Sequence, residues 1–167
     1  GLFKSAVGSS DPVMFFEYKR IYTSKGQVPD GDYTIPIGQA DIKREGEDAT
    51  VVAIGPMVQK SLDAAITLED DGYDIEVVDP RSLSPLDVDT ICTSVRKTGR
   101  AIVCGEDSTF AGAASEIAAM ISENCFGDLK APVRRIGSPH VPMPFSSELV
   151  KHVVPEKSHV IDAVNQS

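Results

Sequence analysis

Two hydrophobic periods alternate along most of this chain. Thr50-Val51-Val52-Ala53-Ile54 is a continuous β-branched run bounded by Gly55-Pro56, which predicts a strand buried on both faces. Val58, Leu62, Ala65 and Ile66 follow at i, i+4, i+7 and i+8, one face of a helix that Gly72 can end. Asp74 to Asp79 predicts the next strand. Ser84 as N-cap, Pro85 at the first helical position and Asp87 in a capping-box-like spacing then predict a second helix. Its apolar stripe is Val88, Ile91, Cys92 and Val95, and Gly99 closes it. Arg100 to Cys104 predicts a third strand. Ala114, Ile117, Ala118 and Ile121 mark a third helix, Pro132 to Ile136 a fourth strand, and Val160, Ile161 and Val164 a short terminal helix.

Strand-helix-strand in succession predicts an α/β fold, a three-layer α/β/α sandwich on a mainly parallel sheet, because parallel strands need crossovers. The stretch from Tyr33 to Ile42 has no crossover helix before the next strand, so it is expected to add as an antiparallel edge. The first 32 residues differ in character. They carry a helix tail (Gly1 to Val7), an apolar run (Pro12 to Phe16) and a Gly/Pro/Asp-rich crossing (Gly26 to Asp32). The division expected is therefore 1–32 as the end of one body plus a linker, and 33–167 as a domain. The opening residues, without Met or N-cap, read as the middle of a helix whose upstream half lies elsewhere.

Charge narrows the partners. Among 167 residues, 25 acidic side chains oppose 16 basic ones, a net charge of −9. Such a surface repels phosphate backbones, which argues against nucleic acid, and attracts a basic protein module. No apolar run approaches the roughly 18 residues that cross a bilayer, and no basic stretch leads into an apolar one, so neither a membrane span nor a secretory signal is expected. Cys92, Cys104 and Cys125 stand in apolar contexts without a C-x-x-C pair. They predict reduced, buried thiols in an intracellular compartment rather than disulfides or zinc.

Candidate chemistry is sparse. Gly55-Pro56-Met57 offers one glycine and a proline without an N–H where a phosphate would want donors. Glu106-Asp107 follows the third strand, where active sites of this class gather, but such a pair more commonly caps a helix or solvates a loop. His140 stands in Ser138-Pro139-His140-Val141-Pro142-Met143-Pro144-Phe145, a proline-stiffened loop suited to an interface. His152 and His159 are expected at the surface, and Glu69-Asp70-Asp71 as a solvated helix end. No catalytic, cofactor-binding or metal-binding residue emerges.

Several segments together carry a resemblance. They are Gly1 to Ala6, Pro12 to Tyr22, Tyr33 to Ile42, Val77 to Asp87, Lys97 to Arg100, Ala131 to Val133 and Pro142 to Ser146. In order and spacing the chain resembles the β subunit of the decarboxylating component of 2-oxo acid dehydrogenase complexes and of acetoin dehydrogenase. The resemblance implies a transketolase C-terminal-type domain at 33–167 and the end of a pyrimidine-binding domain plus linker at 1–32. It implies thiamine diphosphate and magnesium in the parent complex and none held by this chain. In that family the cofactor's glutamate and the β-subunit histidine lie upstream of Gly1, and the α subunit supplies the diphosphate and magnesium site.

The partners implied are an α subunit and a second β subunit in an α2β2 tetramer, and the subunit-binding domain of a lipoyl acyltransferase. Interface candidates are His140, Met143, Phe145, Glu148, Glu156 and Asp162. The implied location is the bacterial cytoplasm, or the mitochondrial or plastid matrix in a eukaryote. Tyr18 departs from the family, standing where relatives often carry His, and Lys130 stands where pyruvate-type sequences often carry an acid. Val78-Asp79-Pro80-Arg81 and Ser138-Pro139-His140 look closer to acetoin or unassigned 2-oxo acid enzymes than to mammalian-type pyruvate dehydrogenase. Rival readings are the C-terminal domain of a transketolase or deoxyxylulose-phosphate synthase, and a freestanding flavodoxin-like domain.

Overall fold

The computed structural model describes residues 1–167. Five strands form one sheet in the order β1-β3-β2-β4-β5. These are β1 (Asp41–Arg44), β2 (Ala49–Ala53), β3 (Ile75–Asp79), β4 (Ala101–Ser108) and β5 (Arg134–Ser138). Strands β3, β2, β4 and β5 run parallel, and β1 pairs antiparallel with β3. The expected antiparallel edge therefore exists, but it begins at Asp41 and takes in Lys43 and Arg44, beyond the expected end at Ile42. An irregular register between Ile42 and Arg44 and this run of charges blunt the edge against further pairing.

Six helices accompany the sheet: α1 (Leu2–Gly8), α2 (Met57–Asp70), α3 (Val88–Thr98), α4 (Ala113–Cys125), α5 (Ser147–Val150) and α6 (Lys157–Asn165). Alternate residues of each strand feed two cores. Val51, Ala53, Val77, Ile102 and Cys104 pack under α2 and α6, where Leu68, Val160 and Val164 meet them. Val52, Val78, Ala101 and Val103 pack under α3 and α4 against Ile91, Val95, Ile117 and Ile121. Burial on both faces explains why β2 reads as an unbroken apolar run. No helix is long and apolar enough to cross a membrane.

Two helices differ from their sequence patterns. In α2 the buried face is Met57, Ser61, Ala64, Ala65 and Leu68, and Ile66 is 63% exposed. Small residues on the sheet side let the helix approach closely, so the apolar stripe is rotated from the expected one. Helix α3 begins at Val88, not at Pro85, and the Ser84–Pro85 peptide is cis within the preceding loop. Asp87 is the N-cap. Its carboxylate accepts from the Thr90 backbone N–H at 3.0 Å, the Thr90 hydroxyl at 2.8 Å and the Ala40 N–H at 2.9 Å. One side chain thus starts a helix and pins the approach to the edge strand, which outcompetes a cap at Ser84.

Glu76, inside β3, is the only acid buried completely, with its side chain sealed from solvent. It is tolerated because Lys97, near the end of α3, reaches it, while Glu45 holds the same ammonium at 3.0 Å. The Gly46 N–H also donates to Glu76 Oε2, at 3.4 Å, and Oε1 has no partner. A Cβ on Gly46 would collide with the backbone of Ile75 and Glu76, so the close approach requires glycine. Burial alone would push the Lys97 ammonium down, but hydrogen bonds to Glu76 and Glu45 outweigh it and hold it at about 12.

Lys97→Met would leave Glu76 buried without its counter-charge. We expect a loss of about 3 kcal/mol in urea unfolding, with most of it recovered in the Lys97→Met, Glu76→Leu double variant. The ordinary lysine value is near 10.4. Because the folded value is higher, the pair's contribution is complete at neutral pH and disappears as pH rises toward 12.

Candidate functional site

In open parallel sheets ligands bind beyond the carboxyl ends of the strands, so the ends of β2 and β4 are the place to look. The chain itself occupies that place. Residues 17–22, which contain a short 3-10 turn at Lys19–Ile21, lie across it as a strap. The Tyr18 ring covers Gly55, where an added Cβ would sit 2.5 Å from the ring. Gly55 has φ 58, a left-handed conformation that favours glycine, so the turn after β2 is shaped to receive the ring. Partial burial and then the nearby charges of Asp107 and Glu106 raise the Tyr18 phenol above the ordinary tyrosine range.

Glu106 is the centre of the polar contacts. Its carboxylate, only 16% exposed, faces Arg20 of the strap and Lys60 of α2, each at 3.4 Å. Lys60 continues to the Glu156 carboxylate at 3.2 Å and donates to the Pro155 carbonyl at 2.6 Å. A single chain of charges therefore ties the strap, the end of β4, α2 and the start of α6. Exposed pairs of this kind contribute little individually, about 0–1 kcal/mol, but Glu106 and Lys60 are largely shielded and share partners.

Asp107 turns the other way. Its carboxylate accepts from the Ala114 N–H at 3.4 Å, at the start of α4. The two adjacent acids thus serve different elements, Asp107 the start of α4 and Glu106 a shielded junction of charges. Their arrangement does not fit a diphosphate or its magnesium. Pro56, at the N-cap of α2, has no N–H to donate. Tyr18 fills the adjoining space, two carboxylates follow on the next strand, and no group of three His, Cys, Asp or Glu converges to hold a metal.

Beside the strap lies a groove of about 550 Å³ lined by Met143, Phe145, Val150 and Val154, with Arg20 and Glu106 also on its wall. Met143 and Phe145, expected at an interface, are both exposed here, Phe145 completely. His140 lies against Phe110, ring centres 4.7 Å apart and planes at 51°. Ala111, next to the exposed Phe110, has φ 55, a left-handed conformation uncommon for alanine. Glu148 pairs with Lys151 at 2.9 Å on the short α5 beside the groove.

Glu156 is less free than expected. It is committed to Lys60 and to capping α6, where His159 Nδ1 accepts from the Glu156 N–H at 3.0 Å. Asp162 stands exposed on α6, which packs against α2. Sequence reasoning missed the strap residues Tyr18 and Arg20, and Lys60. Only the unusual Tyr18 offered a signal.

Residues 38–160 match the family described as transketolase, C-terminal domain. Among curated proteins, the chain is 47% identical over 161 residues to the beta subunit of acetoin:2,6-dichlorophenolindophenol oxidoreductase of Bacillus subtilis (strain 168), covering 96% of this chain and 47% of that protein. It is 48% identical over 147 residues to the pyruvate dehydrogenase E1 component subunit beta of the same organism, covering 87% and 45%. Among solved structures, a split-gene transketolase described as an inactive beta4 tetramer superposes with a TM-score of 0.68 at 30% identity, covering 84% of this chain and 45% of that one. The chain spans about half the length of the curated relatives it matches.

The strap makes a measurable prediction. Gly55→Ala adds a methyl where the Tyr18 ring sits and strains a left-handed backbone, at a cost of about 1–2 kcal/mol. Amide exchange across residues 17–22 should accelerate. The Tyr18 titration, isolated by difference against Tyr18→Phe, should fall back toward the ordinary value. Because the folded value is raised, the wild-type strap stays seated at neutral pH and loosens as pH rises through the Tyr18 transition. An unchanged titration in Gly55→Ala would show that the ring is not held at this glycine.

Proposed function

The chain belongs to the transketolase C-terminal domain family, and from that footing we propose that it is the C-terminal assembly domain of a dehydrogenase β subunit. The parent would be a thiamine-diphosphate-dependent 2-oxo acid or acetoin dehydrogenase, which transfers the substrate's acyl group to a lipoyl arm. What carries the reading is the pattern of likeness. Identities of 47–48% to acetoin, 2-oxoisovalerate and pyruvate dehydrogenase β subunits run over 87–96% of this chain but only 45–49% of those proteins. Near-equal likeness to three substrates' enzymes leaves substrate choice to the other half. The transketolase or deoxyxylulose-phosphate synthase alternative shares the family, and its split-gene transketolase neighbour stands at 30% identity against 47–48% for these β subunits, while a freestanding flavodoxin-like domain loses its support to the family match.

On this reading residues 1–32 are the end of a pyrimidine-binding domain plus linker, and 33–167 are the C-terminal domain. Support comes from apolar surface that the domain leaves uncovered. Helix α1 has no buried residue, and Met14 and Phe16 are 81% and 77% exposed. The remaining subunit would cover it. The proposed partners are an α subunit and a second β subunit in an α2β2 assembly, within the cytoplasm of a bacterium or an organelle matrix. The acyltransferase's subunit-binding domain would dock on the acidic exterior, with Met143, Phe145, Glu148 and Asp162 as candidates and His140 and Glu156 in supporting positions. Because the residues here do not fit a diphosphate, the chain's contribution to catalysis is to hold neighbouring domains in place.

Two measurements test this. Calorimetric titration of the chain with thiamine diphosphate and magnesium should be flat, and the chain alone should turn over neither acetoin nor a 2-oxo acid. The β subunit carrying this domain, purified with its α subunit, should turn over one of them; micromolar cofactor binding by the chain alone overturns the proposal. The second concerns docking to the basic module. Association should slow steeply with ionic strength, since about 8 Å of screening length remains at physiological salt. A salt-independent association rate removes the electrostatic argument.

A further inference from the structure

Two Asp–Gly steps occur in this chain, Asp30-Gly31 in the crossing that follows the strap and Asp71-Gly72 at the end of α2. At such a step the aspartate carboxyl can close a five-membered ring on the next backbone nitrogen, and glycine sets no side chain in the way. Both glycines are left-handed, with φ 83 and 86, and an added Cβ would meet nothing within 4 Å at either. They differ in their hydrogen bonds. The Asp71 N–H donates to the Leu68 carbonyl and the Gly72 N–H to the Glu69 carbonyl, each at 3.0 Å, and the Tyr73 N–H returns to Leu68 at 3.0 Å. In the crossing there is no such brace. From Lys25 to Gln39 no backbone N–H donates to another group of the chain; the next to do so is that of Ala40. Asp30, Gly31 and Asp32 are all exposed.

We propose that Asp30-Gly31 is a self-modification site, at which the chain converts to an isoaspartyl linkage without enzyme or cofactor. The Gly31 nitrogen attacks Cγ of the protonated Asp30 carboxyl. The N–Cγ bond forms and a Cγ–O bond breaks. The departing oxygen leaves as water, with the carboxyl proton and the proton from nitrogen. The product is a succinimide, which water reopens at either carbonyl. Opening at Cγ restores aspartate, whereas opening at the main-chain carbonyl leaves the backbone running through the former side chain. Nothing is oxidised or reduced.

Ring closure requires the backbone about Asp30 to rotate until the carboxyl carbon stands over the Gly31 nitrogen. A segment with no internal backbone hydrogen bonds does so without local unfolding, whereas the turn that ends α2 must first open. The fold therefore selects one of two chemically equivalent steps. Isomerisation lengthens the main chain by one carbon and turns the Asp30 side-chain carboxylate into a stub on the backbone. It does so between the strap and the domain, two residues from Asp32, whose pair with Lys4 ties the crossing to α1. The connection between the strap and the sheet thus carries a slow chemical change that no other part of the chain shares. None of this depends on the parent reaction.

The test is prolonged incubation of the chain at neutral pH in heavy-oxygen water, followed by peptide mapping with electron-transfer fragmentation, which separates isoaspartate from aspartate. Isoaspartate should accumulate at residue 30 at least about fivefold faster than at residue 71, the factor set by the one net hydrogen bond that must break at Gly72. Heavy oxygen at residue 30 should mark molecules that passed through the succinimide, including those reopened to aspartate. An isoaspartate-specific methyltransferase with S-adenosylmethionine should label the aged chain and not the fresh one. Asp30→Glu keeps the charge but needs a larger ring, and should lose the product at residue 30 while residue 71 is unchanged. In urea the two steps should convert at similar rates. Equal rates at the two steps in the folded chain overturn the proposal. So does methyl labelling undiminished in Asp30→Glu, or a rate difference that persists unchanged in urea.

Discussion

Burial of the parallel strands on both faces constrains everything else in this molecule. Val51, Val52, Val77, Val78, Ile102 and Val103 have no exposed surface, so each face of the sheet needs its own helical cover. At about 25 cal/mol per Å² of apolar area, that two-sided burial outweighs any single polar contact described above. It also denies the sheet's faces to ligands. Chemistry can occur only at the strand ends, in the helical layers, or on the exterior.

The two ends of the sheet meet this constraint differently. At the amino end Glu76 is carried inside β3, and the fold supplies Lys97 and the Gly46 N–H, leaving one carboxylate oxygen unpartnered. At the carboxyl end the fold places an acid, Glu106, just outside the core and uses it as a junction. Arg20 and Lys60 converge on it, and through Lys60 the terminal helix is joined to the strap. The edge where related architectures open a crevice is thereby filled by Tyr18. A domain closed on both faces and at this edge influences a reaction through its contacts with other chains, as the proposed assembly role requires.

The parts legible in the sequence were those that burial alone decides. Continuous apolar runs located β2 and the first half of β4, β-branched residues around Glu76 located β3, and the stripes of α3 and α4 matched the observed buried residues. Errors arose where a tertiary partner overruled a local signal. Ile66 looked like core by its spacing, but Ser61 and Ala64 let α2 sit closer to the sheet, so Ile66 faces solvent. Ser84 looked like a cap, but Asp87 could bond both Thr90 and the distant Ala40. The strap was illegible for the same reason. Nothing near Tyr18 or Arg20 in sequence foretells Gly55 or Glu106, more than thirty residues away.

The cysteines show how a correct local reading can miss a spatial one. Apolar context marks all three as buried, as they are, and no two of them are close in sequence. Yet Cys104 faces the α2 layer while Cys92 and Cys125 face the opposite one. Which layer a residue enters is set by strand alternation for the first and by helix phase for the other two. Sequence reveals each phase separately, but the approach of α3 to α4 depends on side chains between them, and Met120 fills that gap.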